Sequence, residues 1–241
     1  MQQICLSQQF FVLTSFAKRA LVCPDCSTPG VSKLYKYRVA SENTTLILTN
    51  KSLWVPTADK LNDPFEFAFH LQSNELDGIP IDERSLAAAK VEMRKYGVLC
   101  LSERNDNILM WAHYAASHQG MCLEFERTSE NALGNWGKCC PAIYDDNLPS
   151  FMPRELEEPK NVSKVLTTKA SIWSYEAEWR LLTMDCNKEI TYPGSLTGII
   201  FGVKMTKKDR KDVVNILGSS VNYSEAVLSD RKYGLEINRL L

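Results

Sequence analysis

No run of apolar residues in this 241-residue chain approaches the ~18 that a membrane-spanning helix needs. The early "FFVLTSF" (residues 10–16) is preceded only by uncharged residues and followed by no clear small-residue cleavage pattern. It reads as part of the mature protein and not as a signal peptide. Surplus charge is missing too. The 28 Lys and Arg nearly cancel the 29 Asp and Glu, leaving −1, so no global basic field recruits nucleic acid. The densest basic run, "KMTKKDRK" (204–211), reads as a solvated helix start. The chain has no glycine-rich phosphate loop, no Gly-x-Gly-x-x-Gly and no compelling Ser-His-Asp order. It has no internal repeat and no low-complexity tract. Its eight cysteines, at 5, 23, 26, 100, 122, 139, 140 and 186, lack the dense, regular spacing of a small secreted scaffold. A reducing cytoplasm is the simplest setting. Cys23 and Cys26, with Cys139 and Cys140, have the partial outline of a zinc site. Adjacent cysteines rarely both ligate one tetrahedral ion, so free thiols and no metal are expected.

What is present is ordinary for a globular chain: 44% hydrophobic and 24% charged residues, in a length that suits one large domain. Residues 1–30 read as an accessory segment ending in the breaker-rich "CPDCSTPG", and 31–241 as the patterned domain. In "KLYKYR", Leu34, Lys36 and Arg38 alternate with Tyr35 and Tyr37, as a strand requires. "TLILTNKSLWVP" reads as a turn between two strand-like pieces, and "TADKLNDPFEF" as a loop or short helix interrupted by Pro64. Within it, Asn62 and Asp63 are expected to bond their own backbone, with Asn62 also a candidate site residue. "DERSLAAAKVEMRKY" (82–96) is the clearest helix. "GVLCLSE" and "MCLEFE" read as buried strands. "NILMWAHYAASHQG" (107–120) reads as a helix with a glycine stop. A long irregular region, two apolar strands, the helix "KKDRKDVVNIL" and a strand-like end follow. Strands and helices mix without a regular βαβ period, so the fold class is α+β.

The chemistry concentrates in "WSYEAEWRLL" (173–182). Read as a strand, it points Glu176 and Glu178 to one face. Two such carboxylates repel unless a cation comes between them or one is partly protonated. One reading is a plain solvent-facing strand with Tyr175, Ala177 and Trp179 inward. The other is a ligand site that wants negative charge, with one carboxylate holding a hydroxyl and one stabilising a developing cation. Arg38, ending an early strand, could clamp a phosphate in a bidentate way. Ser102, ending "GVLCL", has a hydroxyl that can fix a ligand or a neighbouring glutamate. His113 and His118 are five residues apart and do not share a helix face, which disfavours a metal pair. Tyr114 and His118, at i and i+4, can touch.

The ordered set Arg38, Ser102 and Glu176-x-Glu178 resembles the Arg–Ser–Glu class of mono-ADP-ribosyltransferases, although the usual Ser-Thr-Ser is reduced to Ser102. A second resemblance covers roughly residues 33–205. "LYKYR", "LWVPTADKLNDPFE", "GVLCLSE", "LMWAHYAASHQGMCLEF", "KASIWSYEAEWRLL" and "IIFG" look like the hallmarks of the bacterial family termed domain of unknown function 2971. The resemblance implies a single domain with a split, mostly antiparallel sheet, and an enzyme that transfers ADP-ribose from NAD to RNA, DNA or protein. Family members occur among phage-defence and toxin–antitoxin genes, which implies a toxin. Glu178 would stabilise the oxocarbenium-like transition state and hold the ribose, and Glu176 would orient or deprotonate the acceptor. Arg38 would pair with the pyrophosphate and Ser102 steady the site. Tyr37, Trp111 or Tyr114 would stack on nicotinamide or adenine, and His113 is a candidate ligand contact or acid–base group. NAD hydrolysis and a non-catalytic nucleotide-binding or partner-binding module are the alternatives. Residues 1–30 are a candidate docking segment for an antitoxin or chaperone.

Overall fold

The computed structural model describes residues 30–57, 60–72, 87, 90–91, 93–135, 137–152, 155 and 158–240. The accessory segment apart from Gly30, Cys23 and Cys26 included, lies outside them, as does most of the helix expected over 82–96.

The first half of the described chain contains β1 (Lys33–Arg38), α1 (Glu42–Asn50), β2 (Ser52–Val55), β3 (His70–Leu71), β4 (Gly97–Ser102), α2 (Ile108–Tyr114) and β5 (Met121–Glu126). Then come β6 (Cys139–Pro141), β7 (Ile143–Tyr144), β8 (Ser150–Phe151), α3 (Pro159–Thr167) and β9 (Thr168–Lys169). After a 3-10 turn over Ser171–Glu176, the chain forms β10 (Glu178–Thr183), β11 (Lys188–Thr191), β12 (Leu196–Phe201), α4 (Lys207–Leu217), β13 (Asn222–Leu228) and β14 (Leu235–Arg239). The class is α+β.

The main sheet runs β14-β13-β12-β5-β1-β4-β10-β6. Its pairs are antiparallel except β12 with β13, which α4 connects in parallel. One junction differs from the rest. β1 pairs with β5 from Lys33↔Glu126 through Arg38↔Met121, and β10 pairs with β4 from Glu178↔Ser102 through Thr183↔Gly97. Between β1 and β4 the register has a single pair, Tyr35↔Ser102. The eight strands form one sheet, joined most narrowly along this seam. Beyond the pair, the Lys36 ammonium donates to the Cys100 carbonyl at 2.7 Å.

The two faces of the sheet are built differently. Alternation sends Leu34, Leu99, Leu101, Leu123, Phe125, Trp179 and Leu181 to one face, where they form one core with Ile47 and Leu48 of α1 and Val213 of α4. On the other face the apolar residues form two separate clusters. Val98 and Leu182 pack with Val165 and Leu166 of α3, while Tyr37 and Cys122 pack with Met110 and Trp111 of α2. The polar site lies on this second face.

Three elements depart from the sequence reading. "ENTTLILTN" is a helix, not part of a turn between strands. Ser41 caps it by accepting from the Thr44 N–H at 3.4 Å, and the Thr45 and Thr49 hydroxyls donate back to the carbonyls of Ser41 and Thr45. These local bonds and the burial of Ile47 and Leu48 outweigh the strand preference of threonine and isoleucine. α2 ends at Tyr114, well before Gly120, because Ala116, Ser117 and His118 are left-handed with φ of 48°, 53° and 72°. His118 consequently stacks on Trp111, with centroids 6.5 Å apart, and not on Tyr114's helix face. Gly120 is required by close approach, since a Cβ there would lie 2.1 Å from the Arg38 carbonyl oxygen. The third departure, at Glu176, builds the site.

Candidate active site

Glu176 is not in a strand. It ends the 3-10 turn, Ala177 follows with φ 42°, and β10 begins at Glu178. The same-face argument for a continuous strand fails here. A left-handed residue nevertheless turns both carboxylates to one place. Both residues are buried, at 3% exposure each, which overturns the solvent-facing reading.

The expected cation is Lys169, at the end of β9. Its ammonium bonds Glu176 Oε2 and also Glu178 Oε2, the latter at 2.9 Å. Burial alone would lower its pKa, but Glu178 and Glu176 outweigh that and hold it above the ordinary lysine value. Arg180, 0% exposed, lies two residues beyond Glu178 on the same strand face. Its Nε donates to Glu178 Oε1 at 3.1 Å and its Nη2 to Oε2 at 3.2 Å, a two-pronged grip. Nη2 also donates to Glu66 Oε1 at 2.8 Å, and Nη1 to the Leu166 carbonyl at 2.8 Å. Burial pushes the Glu178 carboxyl up, but Arg180 and Lys169 more than reverse this and bring it down to about 2. Glu66 shows the opposite balance. Burial is its largest influence and leaves its carboxyl above the ordinary value, with Arg180 only partly compensating.

The turn is held from below. The Ser102 hydroxyl donates to the Glu176 carbonyl at 2.6 Å and accepts from the Arg104 N–H at 3.0 Å. Asn107 Nδ2 donates to the Tyr175 carbonyl at 3.0 Å, and the Glu178 N–H donates to Tyr144 Oη at 2.8 Å. Ser102 thus fixes a neighbouring glutamate, one of the two roles its position suggested. Tyr114 Oη donates to Glu176 Oε1 at 2.6 Å and accepts from Asn62 Nδ2 at 3.0 Å. Asn62 bonds Tyr114 in place of its own backbone. Asp63 does make the local bond, accepting the Phe65 N–H at 2.9 Å.

A cavity of about 130 Å³ opens at the seam. β1 lines it with Tyr35, Lys36 and Tyr37, and β4 with Cys100 and Ser102. Glu66, Lys169, Glu176 and Glu178 supply the charge, and Asn62 and Tyr114 add hydroxyl and amide. Of the residues singled out from sequence, the structure brings Glu176, Glu178, Ser102, Tyr37, Asn62 and Tyr114 together. Arg38, Trp111 and His113 do not line the cavity. Arg38 pairs with Met121, whose side chain belongs to the opposite core, so alternation directs it to the other face. Its Nε is buried without a partner there. Trp111 is sealed in the core, edge-on to Tyr37 at 5.2 Å, with Nε1 donating to the Asn105 carbonyl. It cannot stack on a ligand without unpacking that core. His113 is exposed, 6.3 Å from the rings of both Tyr114 and Tyr175.

Residues 110–181 match the family described as protein of unknown function (DUF2971). The match supports the family resemblance carried by the motifs. The DUF2971 segment contains Tyr114, Lys169, Glu176, Glu178 and Arg180, while Lys36, Glu66 and Ser102 precede it. No curated protein and no solved structure matches the chain.

Sequence reasoning missed Lys169, Arg180, Lys36 and the charge role of Glu66. Two signals were available. The glutamate pair demanded a cation, and "KASIWSYEAEWRLL" contains one on either side of it. Among the described residues, no group of three or more His, Cys, Asp or Glu is arranged to hold a metal, and none of the helices is long and apolar enough to cross a membrane.

Proposed function

We propose that this protein is an ADP-ribosyltransferase that moves ADP-ribose from NAD to a macromolecular acceptor, RNA, DNA or protein. The observation that carries the reading is the pair of buried carboxylates, Glu176 and Glu178, converging on a cavity beside the narrow β1–β4 seam of a largely antiparallel sheet. Cleaving the nicotinamide–ribose bond builds positive charge on the sugar, and a carboxylate that stays ionised beside it lowers the barrier. Glu178 suits that task because Arg180 and Lys169 keep it anionic across the working pH range. Glu176, held by Tyr114 and Lys169, would orient a ribose hydroxyl. A cavity of about 130 Å³ accepts one ring-sized group, and the remainder of the dinucleotide would lie outside it. Arg38 is left out of this arrangement. The ADP-ribosyltransferase fold assignment and a role as an anti-phage toxin rest on the family resemblance alone.

The test is to incubate the protein with NAD labelled in the ADP-ribose part, together with separated RNA, DNA and protein pools. Label should enter one pool, and Glu178→Gln should abolish it. Label entering at the wild-type rate in Glu178→Gln overturns the catalytic assignment. Nicotinamide release that is equal with and without every pool identifies hydrolysis in place of transfer. A protein that neither consumes NAD nor is thermally stabilised by it is a binding module for something else.

A further inference from the structure

Three buried carboxylates line the cavity, and their oxygens are unequally occupied. Glu176 Oε1 accepts from Tyr114 and its Oε2 from Lys169. Glu178 Oε1 accepts from Arg180, and its Oε2 from both Lys169 and Arg180. Glu66 Oε1 accepts from Arg180 at 2.8 Å and lies 3.8 Å from the Lys169 ammonium. Glu66 Oε2 is buried with no partner, although the side chain is only 3% exposed. A buried carboxylate oxygen without a donor is rare enough to need an explanation. A proton-accepting role supplies one. The group is also well anchored: the Glu66 N–H donates to the Asp63 carbonyl at 3.1 Å, inside the turn that Asp63 Oδ1 closes. Neighbouring carboxylates in unlike environments divide acid–base work from charge stabilisation. Here the two-pronged grip of Arg180 commits Glu178 to staying charged, while the one-sided contact leaves Glu66 free to exchange a proton.

We propose that Glu66 is the general base of this site, taking the proton of the acceptor on Oε2 while Glu178 stays beside the sugar. This rests on the NAD reading above and moves the base role away from Glu176, both of whose oxygens are engaged. The acceptor's O–H or N–H bond breaks and its proton passes to Glu66. The electron pair left behind forms the bond to the ribose C1′. The bond from C1′ to nicotinamide breaks, and its electron pair neutralises the pyridinium nitrogen. Glu66 then returns the proton to water.

The experiment measures nicotinamide release from NAD by the full chain between pH 4 and 9. The acceptor is whichever of water, cellular RNA, DNA or protein gives the highest rate. Glu66→Gln retains an oxygen for Arg180, so it separates proton transfer from support of the ion cluster. Wild type should lose rate on the acid side as Glu66 takes up a proton. Glu66→Gln should be slower by about 10²- to 10⁴-fold, the usual contribution of a positioned base, and should lack that acid limb. Glu66→Asp should recover the limb at reduced rate. An active wild type whose Glu66→Gln variant keeps both rate and acid limb overturns the role of Glu66 and leaves the NAD reading standing. A wild type that releases no nicotinamide with any acceptor overturns both. If circular dichroism shows that Glu66→Gln does not fold, Glu66→Asp decides: a displaced acid limb supports the proposal and an unmoved one refutes it.

Discussion

Replacing Glu178 by glutamine keeps the shape of the side chain and removes its charge, so it isolates the ionic part of this cluster. In the folded protein burial raises the Glu178 carboxyl, but Arg180 and Lys169 outweigh burial and bring it from the ordinary 4.5 to about 2. A carboxyl depressed in the folded state adds stability above its unfolded pKa and loses it as pH falls through the folded value. The relevant window runs from 4.5 down to about 2. At about 1.4 kcal/mol per pH unit, that window amounts to about 3 kcal/mol. The group is almost wholly buried, so solvent screening removes little of it. Glu178→Gln should therefore be about 3 kcal/mol less stable than wild type at pH 7. The gap should shrink steadily below pH 4.5 and nearly vanish at pH 2. Urea unfolding followed by tryptophan fluorescence, on both proteins at several pH values, measures the gap directly. A gap that stays constant from pH 7 to 2, or widens in acid, refutes the ionic account of Glu178. The loss is smaller than the whole 5–15 kcal/mol typical of a domain, so the variant should remain folded in activity assays at 25 °C.

Lys169→Met leaves Glu176 and Glu178 facing each other in a buried site. It should destabilise the fold by about 3–5 kcal/mol, less in acid, and calorimetry that finds an unchanged Tm removes Lys169 as the cation holding the pair. Ser102→Ala strips the Glu176 carbonyl and the Arg104 N–H of their shared partner, for about 1–3 kcal/mol in urea unfolding. It should also lower NAD turnover at least about tenfold by loosening the turn, as a small misplacement of reacting groups does; wild-type turnover would separate Ser102 from the chemistry. Trp111→Phe should cost about 1–3 kcal/mol of stability, because it leaves the Asn105 carbonyl unpaired and the core underfilled, while the KM for NAD stays unchanged. A raised KM would return Trp111 to the ligand.

The strands legible in the sequence are those whose neighbours are all strand-like. Alternation in "KLYKYR" and the apolar runs "GVLCLS", "MCLEFE" and "LTGIIF" locate β1, β4, β5 and β12 almost to the residue. The same alternation already separated Arg38 from Tyr37. Adjacent residues of one strand point to opposite faces, yet Lys36 lines the cavity beside Tyr35 and Tyr37 at the seam, so alternation alone did not decide that Arg38 stays out. The start of β10 was not legible, because Ala177 takes a left-handed conformation that no glycine or asparagine announces. Nor was the link from Arg180 to Glu66, which joins residues 114 positions apart. Pair chemistry can be suspected from sequence when like charges crowd together, as Glu176 and Glu178 do. Which distant residues neutralise them depends on tertiary packing.

The single register pair between β1 and β4 leaves the two halves of the sheet, each taken as a unit, joined by little backbone bonding. Opening along that line sacrifices few ladder bonds, so amides flanking it should exchange with solvent before those within either half. Tyr35, Lys36 and Tyr37 belong to one unit, and Ser102 and Glu178 to the other. A molecule that fills the cavity therefore acts as a rivet. Its binding free energy, about 2.7 kcal/mol at a hundred times Kd, is added along the line where the backbone contributes least. Occupancy of the site would then be readable in the exchange rates of two neighbouring strands that share a single register pair.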